Sequence, residues 1–399
     1  MKKLLLASAI SALFAAPATV LAQAKPPAAP PVPTLDKILE ASGISVSGYI
    51  DAGYTYASKN VQPGTGTAGT GGFSTRVFDQ QNNSFALNQF GLTVAKQPKE
   101  GFGGLVNITV GRDAEYIHSF PEATGPGTPM FDITQAFAQY ADGPMTLIAG
   151  KFVTLQGTEV IASTGNTNIS RSILFGAIPF THTGVRGTWA VSDTVSLIAG
   201  LNNGWDQLTD ANKGKTVELG VTLNPIKPLN IVVSAYSGKE NTAPSGAALA
   251  QADGNRTSLD AVVTYTVIDP LTLGVEFLSV SQDHFVSLVN GSSISAKYSG
   301  TAGYVTYMFS PKFRGALRGE LFNDKDGARF GKGPTATTSA TKYAEVTFTG
   351  SYLPTDSFEL RAEGRSDKGS NPVFVDFTTP TPATSKTMTT IALQGIYKF

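Results

Sequence analysis

The feature that most constrains this chain is a period-two alternation of polar and apolar side chains. It begins near Ile44 and is clear in TVELGVTL at 216–223 and FELRAEGR at 358–365. A pleated strand places successive side chains on opposite faces, so each such segment is predicted to be a strand with one apolar face. Alternation alone does not separate a soluble sandwich, with apolar faces inside, from a membrane barrel, with apolar faces outside.

The lengths of the alternating segments favour a membrane barrel. Most are close to the ~9–11 residues that a tilted strand needs to cross a bilayer, whereas soluble strands more often have about 5–6. The candidate strands lie at 44–56, 85–96, 102–111, 132–140, 145–153, 181–190, 194–203, 215–223, 229–237, 257–267, 271–280, 296–309, 313–322, 343–353, 358–366 and 386–399.

The connections between these segments alternate in length. Short turns such as ADGP and SPK follow every even-numbered strand, and long polar loops follow every odd-numbered one. This arrangement is typical of outer-membrane barrels. We therefore predict an all-β fold: a closed antiparallel transmembrane β-barrel of about 16 strands with both termini periplasmic. A soluble β-solenoid or sandwich is the alternative.

The last nine residues, IALQGIYKF, are predicted to close the barrel. Unpaired backbone groups are not tolerated in lipid, so this strand is expected to pair with the first one near Gly48–Tyr56. Tyr397 and Phe399 would then lie in an aromatic girdle at the periplasmic interface.

The N-terminal region is predicted to lie outside the barrel. Residues 1–24 have a basic start, an apolar stretch and small residues before Ala22 or Ala24, as in a secretory signal peptide. An uncleaved anchor is the alternative. Residues 25–43 form a Pro-rich periplasmic spacer with a short helical turn in TLDKILEAS, where Thr34 is a candidate N-cap. The barrel is assigned to residues 44–399.

Charge and motifs exclude several function classes. The chain has 30 basic and 30 acidic residues, so no basic patch for nucleic acid is expected. The NDKDG segment at 323–327 has the oxygen spacing of a calcium loop but lacks the distal bidentate Glu, and we interpret it as a polar turn. His118 and His284 are predicted in loops, and His182 is predicted to be a hydrogen-bonded wall residue. We therefore predict no catalytic residue, metal site or cofactor, and no enzyme activity.

Several segments resemble a known family. They are SGYIDAGYTY (47–56), NQFGLTV (88–94), DITQAFAQY (132–140), AGKFVTLQGTEVI (149–161), SRSILFGAIPFTHTGVRGTW (170–189), GLNNGWD (200–206) and NDKDGARFG (323–331). Together they resemble the OmpL-like β-barrel porin family, and IPFTHTGVRGTW is the most specific of them. The resemblance implies a porin in the bacterial outer membrane. It identifies no solute.

A barrel of about sixteen strands leaves a water-filled channel. We expect passive diffusion of small hydrophilic solutes, with loop 154–180 as the constriction. Its apolar segment ISRSILFGAIPF would be buried by folding inward; a loop folded over the rim is the alternative. A structural or adhesive barrel that acts through its extracellular loops is the alternative function.

The candidate pore-lining residues are charged side chains on the polar strand faces, together with His182 and with Arg171, which would lie near the constriction in loop 154–180. Arginine keeps its charge at any relevant pH, so arginines facing carboxylates would create a transverse field. Because the signs alternate along 359–365, cross-strand pairing can neutralise much of this field, and we expect weak ion selectivity. Two roles stay open for Arg186, a contribution to the field or a pair with a wall carboxylate. The candidates are Asp51, Arg171, His182, Arg186, Glu218, Glu276, Arg314, Arg318, Glu320, Glu345, Glu359, Arg361, Glu363 and Arg365.

The expected partners follow from the same fold. They are outer-membrane lipid and lipopolysaccharide, small hydrophilic solutes, and the outer-membrane assembly machinery through Phe399. A homotrimer is left open, and no nucleic-acid partner is expected.

Overall fold

The computed structural model describes residues 34–59, 75–241, 253–286, 292–330, 340–376 and 383–399. The predicted signal peptide and most of the Pro-rich spacer lie outside these residues. Within the described ranges, no helix has the length and hydropathy of a membrane span.

Backbone contacts divide the chain into two units, Met1–Ala41 and Ser42–Phe399. The first element in the described residues is helix α1 at Leu35–Ser42. The Ile38 amide donates to the Thr34 carbonyl at 3.1 Å, which closes the first turn. Gly43 follows the helix with φ of +66°, a left-handed conformation that glycine adopts without strain and that commonly ends helices.

The second unit consists of strands joined by turns and loops. Three short 3₁₀ turns lie within the loops, at Arg112–Tyr116, Ser163–Gly165 and Phe175–Ala177. The strands are β1 Ser45–Ala57, β2 Ser84–Lys96, β3 Gly101–Val110, β4 Phe131–Asp142, β5 Met145–Val153, β6 Thr181–Ser192, β7 Val195–Asn202, β8 Thr216–Ile226, β9 Leu229–Asn241, β10 Asp253–Ile268, β11 Leu271–Val286, β12 Ser293–Ser310, β13 Phe313–Asp324, β14 Thr341–Thr355, β15 Phe358–Gly369, β16 Phe374–Asp376, β17 Ala383–Ser385 and β18 Thr387–Lys398.

Sixteen of these strands form one closed antiparallel barrel, as predicted. Each of β1 to β15 pairs with its sequence neighbour, and β18 pairs with both β15 and β1. At the closing seam, the amides and carbonyls of Gly48 and Phe399 exchange two hydrogen bonds of 2.9 Å. The short β16 and β17 pair only with each other, within the loop that follows β15.

The barrel is apolar on its outer face and polar inside. Leu317 and Leu360 are 46% and 45% exposed, whereas their chain neighbours Arg318 and Arg361 are 0% and 3% exposed. A soluble sandwich would bury the leucines and expose the arginines. The observed arrangement is that of a barrel whose outer face meets lipid.

Exposed aromatic pairs mark the rim that carries the short turns. Phe102 and Tyr140 have ring centroids 4.9 Å apart, and Phe313 and Tyr352 are also separated by 4.9 Å. Phe399, at the closing seam, lies 6.1 Å from the ring of Tyr397. Aromatic side chains concentrate in this way at membrane–water interfaces.

Several strands extend further than predicted on the long-loop side. The largest extensions are those of β9, β10, β11, β12 and β15, which continue beyond the predicted 229–237, 257–267, 271–280, 296–309 and 358–366. The prediction that His284 lies in a loop was therefore wrong, because β11 reaches Val286. Backbone pairing continues there although the polarity no longer alternates regularly, and His284 has φ of +53° where the pairing register shifts.

Candidate functional site

The loop between β5 and β6, residues 154–180, crosses the interior of the barrel. Near its start, the Gly157 amide donates to Asp260 Oδ1 of β10 at 3.1 Å. Six residues later, Ser163 Oγ donates to Asp51 Oδ2 of β1 at 2.5 Å. β1 and β10 are seven strands apart in one direction around the cylinder and nine in the other. The loop therefore connects nearly opposite walls.

Wall carboxylates hold the second half of this loop through its backbone amides. Glu363 Oε2 of β15 accepts from the Ile169 amide at 2.6 Å, and Glu320 Oε1 of β13 accepts from the Ile173 amide at 2.6 Å. Each carboxylate also accepts from the next amide in the chain. Such charge-assisted bonds are stronger than bonds between neutral groups, so they fix the path of the loop backbone.

Arg318 of β13 joins the wall to the loop. Its side chain is fully buried. Two of its nitrogens bond to the two carboxylate oxygens of Glu345, each at 3.0 Å. Nη1 donates to Glu159 Oε1 at 2.6 Å and to the Ser170 carbonyl at 2.7 Å, and both of these partners belong to the loop. One guanidinium thus pairs with a wall carboxylate and with a loop carboxylate.

Arg365 of β15 extends this network toward a second loop. It bonds to Asp367 at 2.6 Å and approaches Glu345 at 3.1 Å. It also donates to the carbonyl of Arg171 at 2.5 Å. Asp367 in turn pairs with Arg76, from the loop between β1 and β2, at 2.8 Å. The network therefore links charged side chains from three strands, β13, β14 and β15, and from two loops.

Glu359 accepts from two arginines at the edge of this network. Arg361 Nε donates to Glu359 Oε1 at 2.6 Å, and Arg314 forms an ion pair with the same oxygen. Arg361 also lies 3.3 Å from the carbonyl of Ser163 in the loop. Arg314 makes its pair within the wall and is more exposed than Arg361.

The guanidinium of Arg171 braces the loop internally. It donates to the carbonyls of Val160, Ile169 and Ile161 at 2.8–2.9 Å. It also lies 5.3 Å from the centre of the Phe78 ring. Arg171 is 2% exposed, so its charge acts on the loop backbone rather than on an open surface.

His182 and Arg186 occupy a different sector, on β6. Arg186 forms an ion pair with Glu218 of β8, so the pairing role considered for it is present. The ring of His182 stacks on Tyr236 with centroids 4.4 Å apart, and its Nδ1 lies 3.0 Å from the Gly204 carbonyl. These contacts make His182 a packed wall residue.

Gln89 of β2, which the sequence analysis did not identify, connects three elements. Its Nε2 donates to Asp113 Oδ2 at 2.7 Å and to the Ile161 carbonyl at 2.9 Å, and its Oε1 accepts from Tyr49 at 2.6 Å. Asp113 lies in a 3₁₀ turn between β3 and β4. Burial raises the pKa of its carboxyl well above the usual range, and the nearby Asp51 carboxylate raises it further.

The structure therefore brings most of the predicted residues together around loop 154–180, while a smaller set lies on β6 and β8. It also adds Arg76, Gln89, Asp113 and Glu159, which the sequence analysis missed. The alternation of polarity along β2 is the signal that could have identified Gln89 as an inward-facing residue. The other three lie in long loops, where alternation carries no signal. Thirteen of the predicted residues are buried: Asp51, Arg171, His182, Arg186, Glu218, Glu276, Arg318, Glu320, Glu345, Glu359, Arg361, Glu363 and Arg365.

Comparison with known families identifies the barrel. Residues 43–399 match the family described as "Putative beta-barrel porin-2, OmpL-like". The chain belongs to this family. A search of curated proteins finds no match in sequence.

Solved structures with the same fold are outer-membrane channels and porins. The outer-membrane channel DcaP of Acinetobacter baumannii is 15% identical, with a TM-score of 0.58 over 89% of this chain and 97% of that one. An anion-selective porin from Comamonas acidovorans is 11% identical, with a TM-score of 0.59 over 89% and 99%. The trimer form of OmpT, an outer membrane protein of Vibrio cholerae, is 11% identical, with a TM-score of 0.57 over 89% and 99%. Family and fold together establish an outer-membrane β-barrel of porin type, and they favour a channel over an enzyme.

Proposed function

We propose that this porin lets small hydrophilic solutes diffuse passively across the outer membrane and that loop 154–180 narrows its bore. The observation that carries the proposal is the course of the loop from Asp260 on β10 to Asp51 on β1. A segment bonded to nearly opposite walls leaves less open cross-section than the barrel itself. The fourteen predicted residues then act either as the lining of the remaining passage or as the anchors of the loop.

The charge network supports weak ion selectivity. Arg318, Arg361 and Arg365 each lie within 3.1 Å of at least one carboxylate oxygen. Paired charges of opposite sign cancel at distances longer than their separation, so the field across the passage is small. We expect a reversal potential near zero in a salt gradient.

The channel is tested by conductance of the purified protein in planar bilayers, together with liposome swelling by sugars, amino acids and anions of graded size. Stable open steps are expected. A bilayer that stays silent would instead favour a structural or adhesive barrel that acts through its long loops.

The role of the loop is tested by loosening its anchors. The double variant Glu320→Gln/Glu363→Gln weakens the charge-assisted bonds to the loop amides, and single-channel conductance should rise or become noisy. Glu240→Gln is a matched control, because Glu240 binds the Trp205 amide in another loop. Equal conductance in all three proteins would show that loop 154–180 does not limit the passage.

The partners remain part of the proposal. Phe399 ends an exposed apolar strand that meets lipid, and we propose that the assembly machinery recognises this terminus. A homotrimer is proposed on the strength of the trimeric OmpT structure. Chemical cross-linking in native membranes would show a band of three subunits.

A further inference from the structure

Four buried oxygen atoms at the start of loop 154–180 have no hydrogen-bond partner among the described residues. They are Asp260 Oδ2, Glu276 Oε1, Gln156 Oε1 and Thr158 Oγ1. A buried polar atom without a partner is unfavourable, and two such carboxylate oxygens together are more so. This cluster, named here the Asp260–Glu276 site, is therefore satisfied only when a cation or a proton joins it.

Consecutive amides of the loop hold the two carboxylates side by side. The Gly157 amide donates to Asp260 Oδ1 at 3.1 Å, and the Thr158 amide donates to Glu276 Oε2 at 2.9 Å. The Cα atoms of neighbouring residues are about 3.8 Å apart, so the two carboxylates are drawn to the same short stretch of backbone. Their other oxygens are the unpartnered ones.

Gln156 supplies a neutral oxygen at the same place. Its Nε2 donates to Ser258 Oγ at 2.9 Å, and Ser258 lies two residues before Asp260 on the inward face of β10. This bond fixes the amide group and leaves its Oε1 buried without a partner. Gln156 is only 2% exposed, so bulk water does not solvate this oxygen.

The pair differs from the buried carboxylates of Glu345, Glu359 and Asp367 in having no arginine, lysine or histidine partner among the described residues. Glu345, Glu359 and Asp367 each lie within 3.1 Å of an arginine nitrogen. Within the described ranges, neither Asp260 nor Glu276 has a Lys, Arg or His nitrogen within 4.0 Å. Two adjacent carboxylates without a counter-ion are strongly unfavourable in a buried position.

We propose that the Asp260–Glu276 site binds one divalent cation of the calcium class. The four free atoms are all oxygens, which suit Ca²⁺ and do not suit the nitrogen and sulfur preference of zinc. In the described part of the chain, no group of three or more His, Cys, Asp or Glu side chains is placed to hold a metal ion by itself. Neutral oxygens from Gln156 and Thr158, together with water, therefore complete the coordination. Such an ion would neutralise the pair and fix the loop to β10 and β11.

The proposal does not depend on which solutes the barrel passes. It differs from the sequence expectation of no metal site, because the ligands come from positions 156–158, 260 and 276, which form no motif. The competing explanation is a single proton shared between Asp260 and Glu276, which would satisfy both carboxylates without any metal.

The direct test is equilibrium dialysis of ⁴⁵Ca²⁺ with the purified full barrel, refolded in detergent free of lipopolysaccharide. One saturable equivalent per chain is expected, and it should be lost in Glu276→Gln and in Asp260→Asn. Glu240→Gln is the matched control and should keep the equivalent, because Glu240 accepts from the Trp205 amide of another loop and does not hold loop 154–180. Calcium should also raise the melting temperature of the wild type and of Glu240→Gln, but not that of Glu276→Gln.

A measurement on the unmodified protein guards against variants that fail to fold. Tyr304 Oη lies 3.3 Å from Glu276 Oε2, so its ring should sensitise the luminescence of Tb³⁺ bound at the site, and calcium should quench it by competition. The proposal is overturned if no saturable calcium binds. It is equally overturned if Asp260→Asn/Glu276→Gln binds calcium like the wild type. A stability gain in Glu276→Gln without any effect of calcium on the wild type would establish the shared proton instead.

Discussion

Replacing Arg318 by Met should test whether the loop is held by charge neutralisation. Met matches only the aliphatic part of the arginine side chain and cannot donate a hydrogen bond. The substitution leaves Glu345 on the wall and Glu159 on the loop without their common partner, and it removes the donor to the Ser170 carbonyl. Arg365 still contacts Glu345, so Glu159 is the more strongly affected carboxylate.

The magnitude follows from the burial of the pair. Removing one member of a buried ion pair typically costs about 3–5 kcal/mol, mostly because the remaining charge is left without compensation. On this reasoning, Glu159→Gln should recover part of the loss in the Arg318→Met background. A double-mutant cycle should therefore give a coupling free energy of about 1–3 kcal/mol between positions 159 and 318.

The free energy of unfolding can be measured by guanidinium titration of the protein in lipid vesicles. The chain has two tryptophans, Trp189 and Trp205, whose fluorescence reports the transition. Hydrogen exchange at the loop amides 169–174 would show whether the loop detaches before the barrel unfolds. Loss of protection confined to this segment is the expected pattern.

Arg314→Met is the matched control. Arg314 pairs with Glu359 inside the wall, and Glu359 keeps Arg361 as a second partner. This variant should cost less free energy and show no coupling to Glu159→Gln. If Arg318→Met and Glu159→Gln were additive within about 0.5 kcal/mol, the idea that Arg318 holds the loop through Glu159 would be refuted.

Three further results are expected. Because burial raises the pKa of Asp113, ionisation of its carboxyl destabilises the fold as pH rises through the raised pKa. Asp113→Asn should therefore raise the melting temperature at neutral pH, and the gain should vanish below about pH 4. A gain that does not depend on pH would contradict this. Leu317→Arg places a charge on the lipid face and should cost about 2–4 kcal/mol near the bilayer centre, clearly more than the control Leu317→Gln in the same titration. Phe399→Ala keeps the backbone hydrogen bonds to Gly48. It should lower the amount of heat-modifiable barrel in cell membranes while leaving refolding in detergent unchanged; equal losses in both would assign the Phe399 side chain to folding alone.

The side of the barrel that each strand residue faces could be predicted from the sequence. On β15, the alternation of Leu360 with Arg361 fixes the two faces, since consecutive side chains of a strand point in opposite directions. The lengths of the connections and the closing role of the last strand followed from similar local rules. Strand ends above the membrane were predicted less well, as His284 shows, because backbone pairing there continues without a polarity signal.

The partners of the inward-facing charges could not be predicted. Arg318 bonds to Glu159, and Glu363 bonds to the Ile169 amide, across separations of 159 and 194 residues along the chain. The sequence placed both side chains on polar faces, but it did not show that the loop would occupy the space between them. The Arg186–Glu218 pair was easier to anticipate, because β6 and β8 lie close together in the barrel.

The sequence by itself determined that this chain closes into a membrane barrel with an apolar exterior. That property is local, because two-residue periodicity and turn length follow directly from residue order. Only the tertiary structure decided how the interior is organised. Side chains from distant segments meet inside one cylinder, and no local sequence pattern predicts which of them come into contact. The path of loop 154–180, the charge network around Arg318 and the Asp260–Glu276 site all depend on such contacts.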